Sequence, residues 1–356
     1  MKNWHWLVGI LLITALTLLL EIPTDTWLTS ATLSLILGAT ALAYMAVSCL
    51  LASRWRVVEN LFGGLDRVYD THKWLGIWAL VFASYHLVFK ANLEVWNSVP
   101  IVELSKYWTR MVRQLSYVAL GMIVLLALNR NIPYSVWRWW HKLSGPLFLI
   151  VILHGLSFKS PITLLSPAGI WLGVLCVLGI LAALYKLLLY PFVARAGEYR
   201  VINVRSDKGA VHLTLAPIGK GFAFKAGQFA FLSFKDKGLR EPHPFTIACA
   251  HRENGHLEFV IRALGDYTQA LREQVKIGMI ADLYAPYGHF KRPANAAKEI
   301  WIVAGVGISP FIAWMQNPHG ERFDAATLIY CFNPARAFPP AEQLQQVAEQ
   351  RGVAFV

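Results

Sequence analysis

The first 195 residues consist of long apolar runs joined by short polar connections. A helix that crosses a bilayer needs roughly 20 largely apolar residues, and the third, fourth and fifth runs reach that length only with their flanks. The pattern predicts six transmembrane helices. The runs cover about residues 4–22, 27–52, 74–89, 111–128, 143–158 and 168–193.

The period of the apolar positions shortens near Gly197, where six stretches of alternating apolar and polar residues begin. Turns rich in Gly and Asp separate them, which is typical of a small antiparallel barrel. From about residue 297 the order is buried strand, helix, strand, helix, which is the start of an open parallel sheet. We therefore predict three domains. They are a six-helix transmembrane domain at 1–195, an antiparallel β-barrel at 196–296 and a partial α/β domain at 297–356.

The composition agrees with a membrane protein. Hydrophobic residues make up 56% of the chain and charged residues 15%, against about 45–50% and 25% in soluble domains. An ordinary soluble protein and a disordered chain are excluded. The four cysteines lie far apart and form no CxxC pair, which argues against a disulfide framework, a zinc site and an iron–sulfur cluster.

The net charge of +12 is unevenly distributed along the chain. Lys and Arg outnumber Asp and Glu by 15 to 7 in residues 1–195 and by 18 to 14 in the remainder. In the first part the bases flank the apolar runs, so we expect a lipid bilayer rather than nucleic acid as the partner. Bases after the second and fourth runs predict that both termini lie in the cytoplasm, and we expect an integral protein of the bacterial inner membrane. Those after the third run favour the opposite orientation.

Four histidines form two pairs at nearly equal spacing. His72 and His86 are fourteen residues apart around the third run, and His141 and His154 are thirteen apart around the fifth. At about 3.6 residues per turn, each pair lies near one face of a helix with roughly 20 Å between its members. If the two helices run side by side in the same direction, His72 meets His141 and His86 meets His154. Facing imidazoles ligate haem iron from both sides, so we predict two stacked b-type haems.

Two other interpretations of these histidines are weaker. Purely structural histidines are disfavoured, because polar side chains deep in a membrane are costly and usually functional. Metal transport is disfavoured, because ligands roughly 20 Å apart along one helix cannot share an ion.

Three motifs follow the histidine pairs along the chain. They are His243-Pro244-Phe245-Thr246, then Arg262 with Gly265, Tyr267 and Thr268, and then Gly305-Val306-Gly307-Ile308-Ser309-Pro310. Together and in this order they resemble the transmembrane ferric reductase / NADPH oxidase family of flavocytochromes, over essentially the whole chain. The resemblance implies FAD on the barrel and a nicotinamide nucleotide on the α/β domain.

The resemblance also implies roles for single residues. The backbone of the first motif and the Thr246 hydroxyl bond the flavin ring edge, and His243 reaches the ribityl or phosphate side. Arg262 suits the FAD pyrophosphate, and the helix that opens at Gly265 presents amides that suit a phosphate. The third motif is implied for NAD(P)H, with Gly305 and Gly307 in the turn and Ser309 and Pro310 at the helix start.

The chain departs from the family pattern in two places. Family members commonly carry an Arg three residues after the Tyr of the next strand, where it meets the 2′-phosphate of NADPH. Asn333 occupies that position after Tyr330, with Arg336 nearby, so both NADPH and NADH stay open. The later Cys-Gly-Pro-type segment that closes the nicotinamide pocket is absent from the sequence, so we expect an incomplete nucleotide-binding domain.

The expected function is transmembrane electron transfer from cytosolic NAD(P)H, through FAD and two haems, to a small-molecule acceptor such as oxygen or a ferric chelate. Lys90, one turn beyond His86, is a candidate contact for the acceptor or a haem propionate, although an ordinary interfacial lysine also explains it. The alternative is an electron-conduit subunit for a quinone or partner protein, fed by a separate reductase. A transporter with a regulatory domain leaves the histidine pairs without a role.

Overall fold

The computed structural model describes residues 3–129, 131–207, 209–293, 297–316, 322–334 and 340–356. The chain divides into two compact units, Met1–Tyr190 and Pro191–Val356. The first unit is helical, and the described part of the second contains two β-sheets. The division into three domains at residues 195 and 296 stays a prediction.

Each apolar run that the sequence shows lies on a helix of the first unit. The helices of the first unit are α1 (Asn3–Leu19), α2 (Ser30–Ala52), α3 (Arg56–Phe62), α4 (Leu65–Val88), α5 (Lys106–Leu128), α6 (Tyr134–His141), α7 (Ser144–Ser157) and α8 (Pro167–Leu184). A last helix, α9 (Tyr190–Val193), begins at the final residue of this unit. A π-helical turn, Tyr185–Leu189, joins α8 to α9. The six runs correspond to α1, α2, α4, α5, α7 and α8.

Three stretches of the described helices are long and apolar enough to cross a membrane: Ser30–Ala52, Lys106–Leu128 and Pro167–Val193. The other three runs fall short of that measure. The helices α1 and α7 have 17 and 14 residues, and α4 begins with a charged segment. A membrane-spanning helical region is therefore present, and the count of six spans stays a prediction.

The central helix of the first unit is α2, which packs against α1, α4 and α8. Many of its residues are Ala, Ser, Thr or Gly. Small residues allow helix backbones to approach closely within a membrane. The backbone of α2 is therefore accessible to side chains of its neighbours, which matters for the histidine pairs.

The helix α4 begins at Leu65 rather than near residue 74, where the apolar run begins. Leu65, Val68, Thr71 and Leu75 are all buried. Their spacing of three or four residues continues one buried stripe through the charged segment. His72 therefore lies inside a regular helix, one turn after Val68.

The expected single helix carrying both His141 and His154 is wrong. His141 is the last residue of α6, and His154 lies in α7. The amides of Lys142 and Leu143 bond to carbonyls three residues earlier, which tightens the chain into a turn. Pro146 has no amide hydrogen with which to continue the helical ladder through this turn.

The first sheet of the second unit is an antiparallel, nearly closed barrel, as predicted. Its strands are β1 (Gly197–Asp207), β2 (Ala210–Ile218), β3 (Phe229–Phe234), β4 (His243–Thr246), β5 (Leu257–Arg262) and β6 (Ile280–Tyr287). They are arranged in the order β4-β3-β6-β1-β2-β5. A bridge between Ile247 and Phe259 brings the two edges together, and α10 (Asp266–Gln274) follows β5.

The second sheet is parallel and has the predicted alternation of strands and helices. It contains β7 (Glu299–Ala304), β8 (Ala326–Cys331) and β9 (Ala354–Phe355), with the helices α11 (Ser309–Met315) and α12 (Ala341–Gln350). The Trp314 indole of α11 donates to the Ala226 carbonyl at 3.3 Å and stacks on Phe290. These contacts connect the parallel sheet to the barrel.

Candidate haem and flavin sites

The four histidines meet in two pairs, with the partners expected from their spacing. The ring centres of His72 and His141 are 5.9 Å apart, and those of His86 and His154 are 6.2 Å apart. The break between α6 and α7 leaves both pairs intact. The pairs occupy two levels of the helical unit, because fourteen residues of one helix, α4, separate His72 from His86.

The separation within each pair fits a metal held between the rings. A bond of about 2 Å from metal to ring nitrogen, with roughly 1 Å more to the ring centre, places two opposed imidazoles about 6 Å apart. Both measured separations agree with this value. Nδ1 of His141 and of His154 is buried, and among the described residues neither atom has a hydrogen-bond partner. Each pair therefore fits a metal held between its two rings, and a haem iron is one that imidazoles would hold in this way.

Backbone carbonyls of α2 orient the two histidines of α4. Nδ1 of His72 donates to the Ser48 carbonyl at 3.1 Å, and Nδ1 of His86 donates to the Ser34 carbonyl at 3.0 Å. A hydrogen bond at Nδ1 leaves Nε2 with its lone pair available to a metal. Ser34 and Ser48 are themselves fourteen residues apart, so α2 and α4 lie antiparallel in matched register.

Gly38 of α2 lies directly against the His86 ring. A β-carbon at position 38 would come within 2.6 Å of His86 Nδ1 and within 2.8 Å of its Cγ. Such distances are shorter than van der Waals contact, so only glycine leaves the ring in place. Gly38 is therefore a positioning residue for His86.

Aromatic side chains contact the second histidine of each pair, His141 and His154. The Trp137 indole stacks on His141, with ring centres 5.1 Å apart. The Phe158 ring lies edge-on to His154 at 4.8 Å, and the Arg113 guanidinium lies 5.8 Å from the centre of the Phe158 ring. Lys90 is exposed, two residues beyond the end of α4.

The candidate flavin residues lie where the barrel closes. The motif from His243 to Thr246 forms edge strand β4, and Arg262 ends the opposite edge strand β5. The Ile247–Phe259 bridge joins these two edges. The bridge therefore joins the strand that carries His243 to the strand that ends at Arg262, although the two are distant in sequence. The Arg262 side chain is exposed beside this junction.

His243 and Tyr267 form a stacked pair with ring centres 3.8 Å apart. The Tyr267 hydroxyl donates to the Leu239 carbonyl at 3.2 Å. Burial and, to a smaller extent, the charge of Glu241 raise the pKa of Tyr267 above its usual value. The tyrosine therefore stays neutral at physiological pH and can hold the His243 ring in place.

Thr268 forms the start of α10. Its hydroxyl oxygen accepts from the amides of Leu264 and Gly265 at 2.9 and 3.0 Å. It also lies 3.0 Å from the Gly265 carbonyl, to which it donates. Thr268 thus shapes the loop that leads from Arg262 into the helix, and its direct contact with FAD stays a prediction.

The candidate nucleotide-binding residues follow the carboxyl ends of strands β7 and β8 in the parallel sheet. Ala304 pairs with Cys331 in the ladder, so Gly305 and Asn333 leave the sheet on the same side. Gly305 has a φ of +51°, a left-handed conformation that favours glycine. Arg336 lies outside the described residues.

Ser309 lies at the start of α11, as expected, but its side chain does not cap the helix. Ser309 is the first residue of α11 rather than its cap, and its hydroxyl donates back to the Val306 carbonyl at 2.8 Å. A tight 3₁₀ turn, Gly305–Ile308, precedes the helix and displaces its start by one residue from the capping position. Pro310 lies in the first turn, as expected.

Comparisons with known proteins give the chain its family. The model described as ferric reductase like transmembrane component matches residues 37–152, and the FAD-binding domain model matches residues 194–296. Dual oxidase 2 of Sus scrofa is 25% identical over 299 residues, which cover 72% of this chain. The chain belongs to the ferric reductase / NADPH oxidase family. The second of these models marks residues 194–296 as an FAD-binding domain.

Two further relatives of the chain are a ferric/cupric reductase and a respiratory burst oxidase. Ferric/cupric reductase transmembrane component 7 of Saccharomyces cerevisiae is 20% identical over 307 residues, or 81% of this chain. Respiratory burst oxidase homolog protein D of Solanum tuberosum is 24% identical over 226 residues, or 55% of this chain. The chain spans 18%, 47% and 25% of the lengths of these three relatives.

The spacing of the four histidines predicted their pairing, but no motif pointed to the residues of α2 that contact them. Ser34, Gly38 and Ser48 carry no metal-binding chemistry of their own. The one available signal was the spacing of fourteen residues from Ser34 to Ser48, which equals that from His72 to His86.

Proposed function

We propose that this protein carries electrons across a membrane, from NAD(P)H through FAD and two b-type haems to an acceptor on the outer face. The observation that carries the proposal is the meeting of the four histidines in two pairs, with ring centres 5.9 and 6.2 Å apart. When bound, FAD converts a two-electron hydride donor into single-electron steps, and each haem carries one electron.

The residues of the chain bind and orient these groups. The four histidines would hold the irons of the two haems, and the carbonyls of Ser34 and Ser48 fix the rings of His86 and His72. On the barrel, the strand from His243 to Thr246 and the side chain of Arg262 supply donors for FAD. The turn at Gly305 and the region of Asn333 supply the surface for the nicotinamide nucleotide.

The pair His72–His141 faces the cytoplasm in this proposal. Arg54 and Arg67 lie in the connection that leads to His72, and Arg138 and Lys142 lie beside His141. Bases concentrate on the cytoplasmic side of membrane proteins. NAD(P)H is a cytosolic donor, so this orientation agrees with a cytosolic barrel and both termini in the cytoplasm.

The names of the relatives support two classes of acceptor. Dual oxidase and respiratory burst oxidase point to oxygen as the acceptor, with superoxide as its one-electron product. Ferric/cupric reductase points to ferric iron. The proposal includes both acceptors, because each accepts one electron at a time.

Anaerobic mixing of the purified protein with NADPH or NADH tests the proposal. We expect the haem absorption bands to become reduced in the wild type. Arg262→Gln is expected to weaken FAD binding about 10- to 100-fold, because a charge-assisted bond to a phosphate is lost, and reduction is restored by excess FAD. The matched control is Arg200→Gln, an exposed arginine on strand β1 of the same barrel.

Three results of this experiment contradict the proposal. If the purified protein contains no haem, the proposal loses its basis. Equal FAD affinity in Arg262→Gln and the wild type removes the role of Arg262. Haems that are reduced only after a separate reductase is added favour the electron-conduit function over that of an NAD(P)H oxidoreductase.

Lys90→Ala tests the acceptor. If Lys90 attracts an anionic ferric chelate, the second-order rate constant for its reduction falls roughly threefold to tenfold at low ionic strength, and the difference disappears in high salt. Oxygen is uncharged, so its reduction rate stays unchanged, as does the haem content. Lys276→Ala, an exposed lysine of the barrel unit, is the control. Identical rates with every acceptor at every salt concentration contradict a role for Lys90.

A further inference from the structure

The helix α11 contacts the barrel at the end that lies away from the candidate nucleotide turn. We propose that Trp314 and Gln316, at this end, position the nicotinamide nucleotide for hydride transfer to FAD, because they hold the parallel sheet in place on the barrel. The inference rests on the proposed function, since it requires both groups to bind this unit. It adds positioning residues that belong to none of the motifs identified in the sequence.

The indole of Trp314 makes the first contact with the barrel. It donates to the Ala226 carbonyl at 3.3 Å and stacks on Phe290, with ring centres 5.1 Å and planes 10° apart. Gly227 has a φ of +95°, and a β-carbon there would lie 3.5 Å from the indole nitrogen and collide with the Phe290 carbonyl oxygen. The absence of a side chain at Gly227 therefore allows this loop of the barrel to approach Trp314 closely.

A polar bridge from Arg252 to Gln316 makes the second contact. Nη2 of Arg252 donates to Oε1 of Gln316 at 3.1 Å, while Nη1 lies 2.8 Å from Oε1 of Glu258. The Glu258 side chain, on strand β5, is only 15% exposed, and its Oε2 lies 3.3 Å from Nε2 of His212 on strand β2. A carboxylate fixed in the barrel wall therefore holds the guanidinium that binds Gln316.

Both contacts end on barrel elements that carry candidate flavin residues. Arg262 ends strand β5, four residues after Glu258. In the loop that contacts Trp314, the carbonyl of Gln228 accepts from the amide of Ile247 at 3.0 Å, and Ile247 directly follows the His243–Thr246 motif. The two contacts are therefore made by the same strands and loops that are expected to hold FAD.

The other end of α11 continues directly from the candidate nucleotide turn. The turn covers Gly305–Ile308, and the helix covers Ser309–Met315. Seven residues of helix span about 10 Å. A short, rigid element thus joins the nucleotide turn to the contacts on the barrel.

Hydride transfer depends strongly on the separation of the two reacting rings. The hydride leaves the nicotinamide ring of NADPH or NADH with two electrons and bonds to the flavin, which gives NADP⁺ or NAD⁺ and the reduced anion FADH⁻. The reacting atoms must approach to about 3–3.5 Å, and a displacement of about 1 Å can lower the rate roughly 100-fold. Joined domains move relative to each other unless their interface holds them. The contacts of Trp314 and Gln316 therefore set the separation on which the rate depends.

The test is anaerobic stopped-flow reduction of FAD by NADPH or NADH in the full-length protein, comparing the wild type with Trp314→Phe/Gln316→Ala. Phenylalanine keeps a ring on Phe290 but cannot donate to Ala226, and alanine removes the acceptor for Arg252. At saturating nucleotide we expect the rate constant for hydride transfer to fall roughly 10- to 100-fold. The dissociation constants of FAD and of the nucleotide should stay within about threefold of the wild type, because no candidate binding residue is changed.

A spectroscopic measurement reports the ring geometry without turnover. The charge-transfer absorbance of the dithionite-reduced protein with NADP⁺ or NAD⁺ arises only when the nicotinamide lies against the flavin. We expect this absorbance to fall in Trp314→Phe/Gln316→Ala. In Trp314→Phe/Gln316→Glu the carboxylate keeps an acceptor for Arg252, so the absorbance and the rate should return to within about threefold of Trp314→Phe alone.

The matched control is Trp301→Phe/Gln343→Ala. The Trp301 indole donates to Glu299 within the parallel sheet, and Gln343 is exposed on α12, so the same two substitutions leave the contacts with the barrel intact. The control should transfer hydride within about threefold of the wild type, even if its thermal stability falls.

Four results overturn the inference. They are a wild-type rate in Trp314→Phe/Gln316→Ala, an equal fall in the control, a fall that disappears at saturating nucleotide, and an unchanged charge-transfer absorbance. If the double variant does not retain FAD, Gln316→Ala alone is measured, with an expected fall of about threefold to tenfold, and a wild-type rate there also overturns the inference. Failure of both nucleotides to reduce FAD in the wild type contradicts the proposed function itself, so the two failures are distinguishable.

Discussion

Replacing His154 with alanine is expected to lower the haem content from two per protein to one and to stop the reduction of external acceptors. The iron at this level then retains a single imidazole, from His86, and b-type haem has no covalent attachment to compensate. The His72–His141 pair is formed by α4 and α6 and does not involve α7. The remaining haem should therefore still be reduced by NAD(P)H. Haem and protein assays on the same sample, with anaerobic and aerobic spectra, give both readouts.

His5→Ala is the matched control for this variant. His5 is an exposed histidine on α1, so its removal should leave two haems and full acceptor reduction. His86→Ala should behave like His154→Ala, because each removes one ligand of the same iron. Retention of two haems in both His86→Ala and His154→Ala would contradict the bis-histidine assignment.

Gly38→Ala is expected to reproduce much of the His86→Ala effect without touching a ligand. The added β-carbon would approach three atoms of the His86 ring to within 2.9 Å, so the ring must turn away from its position. Its bond to the Ser34 carbonyl is lost at the same time. Loss of such an orienting contact typically weakens metal binding by about 10- to 100-fold. The measurement is haem retention during dilution or competition with apomyoglobin.

Gly173→Ala is the control for Gly38→Ala. A β-carbon at Gly173 of α8 has no neighbour within 4 Å in the described chain, and alanine has the higher helix propensity. We expect full haem retention in this variant. Equal haem retention in Gly38→Ala and Gly173→Ala would show that Gly38 does not position His86.

Much of this site was predictable because its signals are local. The fourteen- and thirteen-residue spacings of the histidines follow from helical periodicity, which operates within one element. The strands of the barrel likewise follow from alternation along each strand. The partners His72–His141 and His86–His154 then required only the assumption that the two segments carrying them run in the same direction.

The break between His141 and His154 shows the limit of periodicity. A continuous apolar run through Pro146 indicated one helix, whereas the structure has a turn and two helices. The missing amide of a proline was visible in the sequence. Whether it ends a helix, kinks it or fits within its first turn depends on the hydrogen bonds available around it.

By itself, the sequence determined the helical and β-rich parts of the chain, the histidine spacing and the motifs that mark an oxidoreductase family. Only the tertiary structure decided that α2 orients His72 and His86, that Gly38 leaves room for a ligand ring, and that Trp314 and Gln316 contact the barrel. The physical reason is that helical and strand periods repeat along the chain, so they are readable from one sequence. The packing contacts join residues that are far apart in the sequence, such as Arg54 and Tyr190, which are 136 positions apart. The choice among such partners is made by the shape and charge of the folded surfaces.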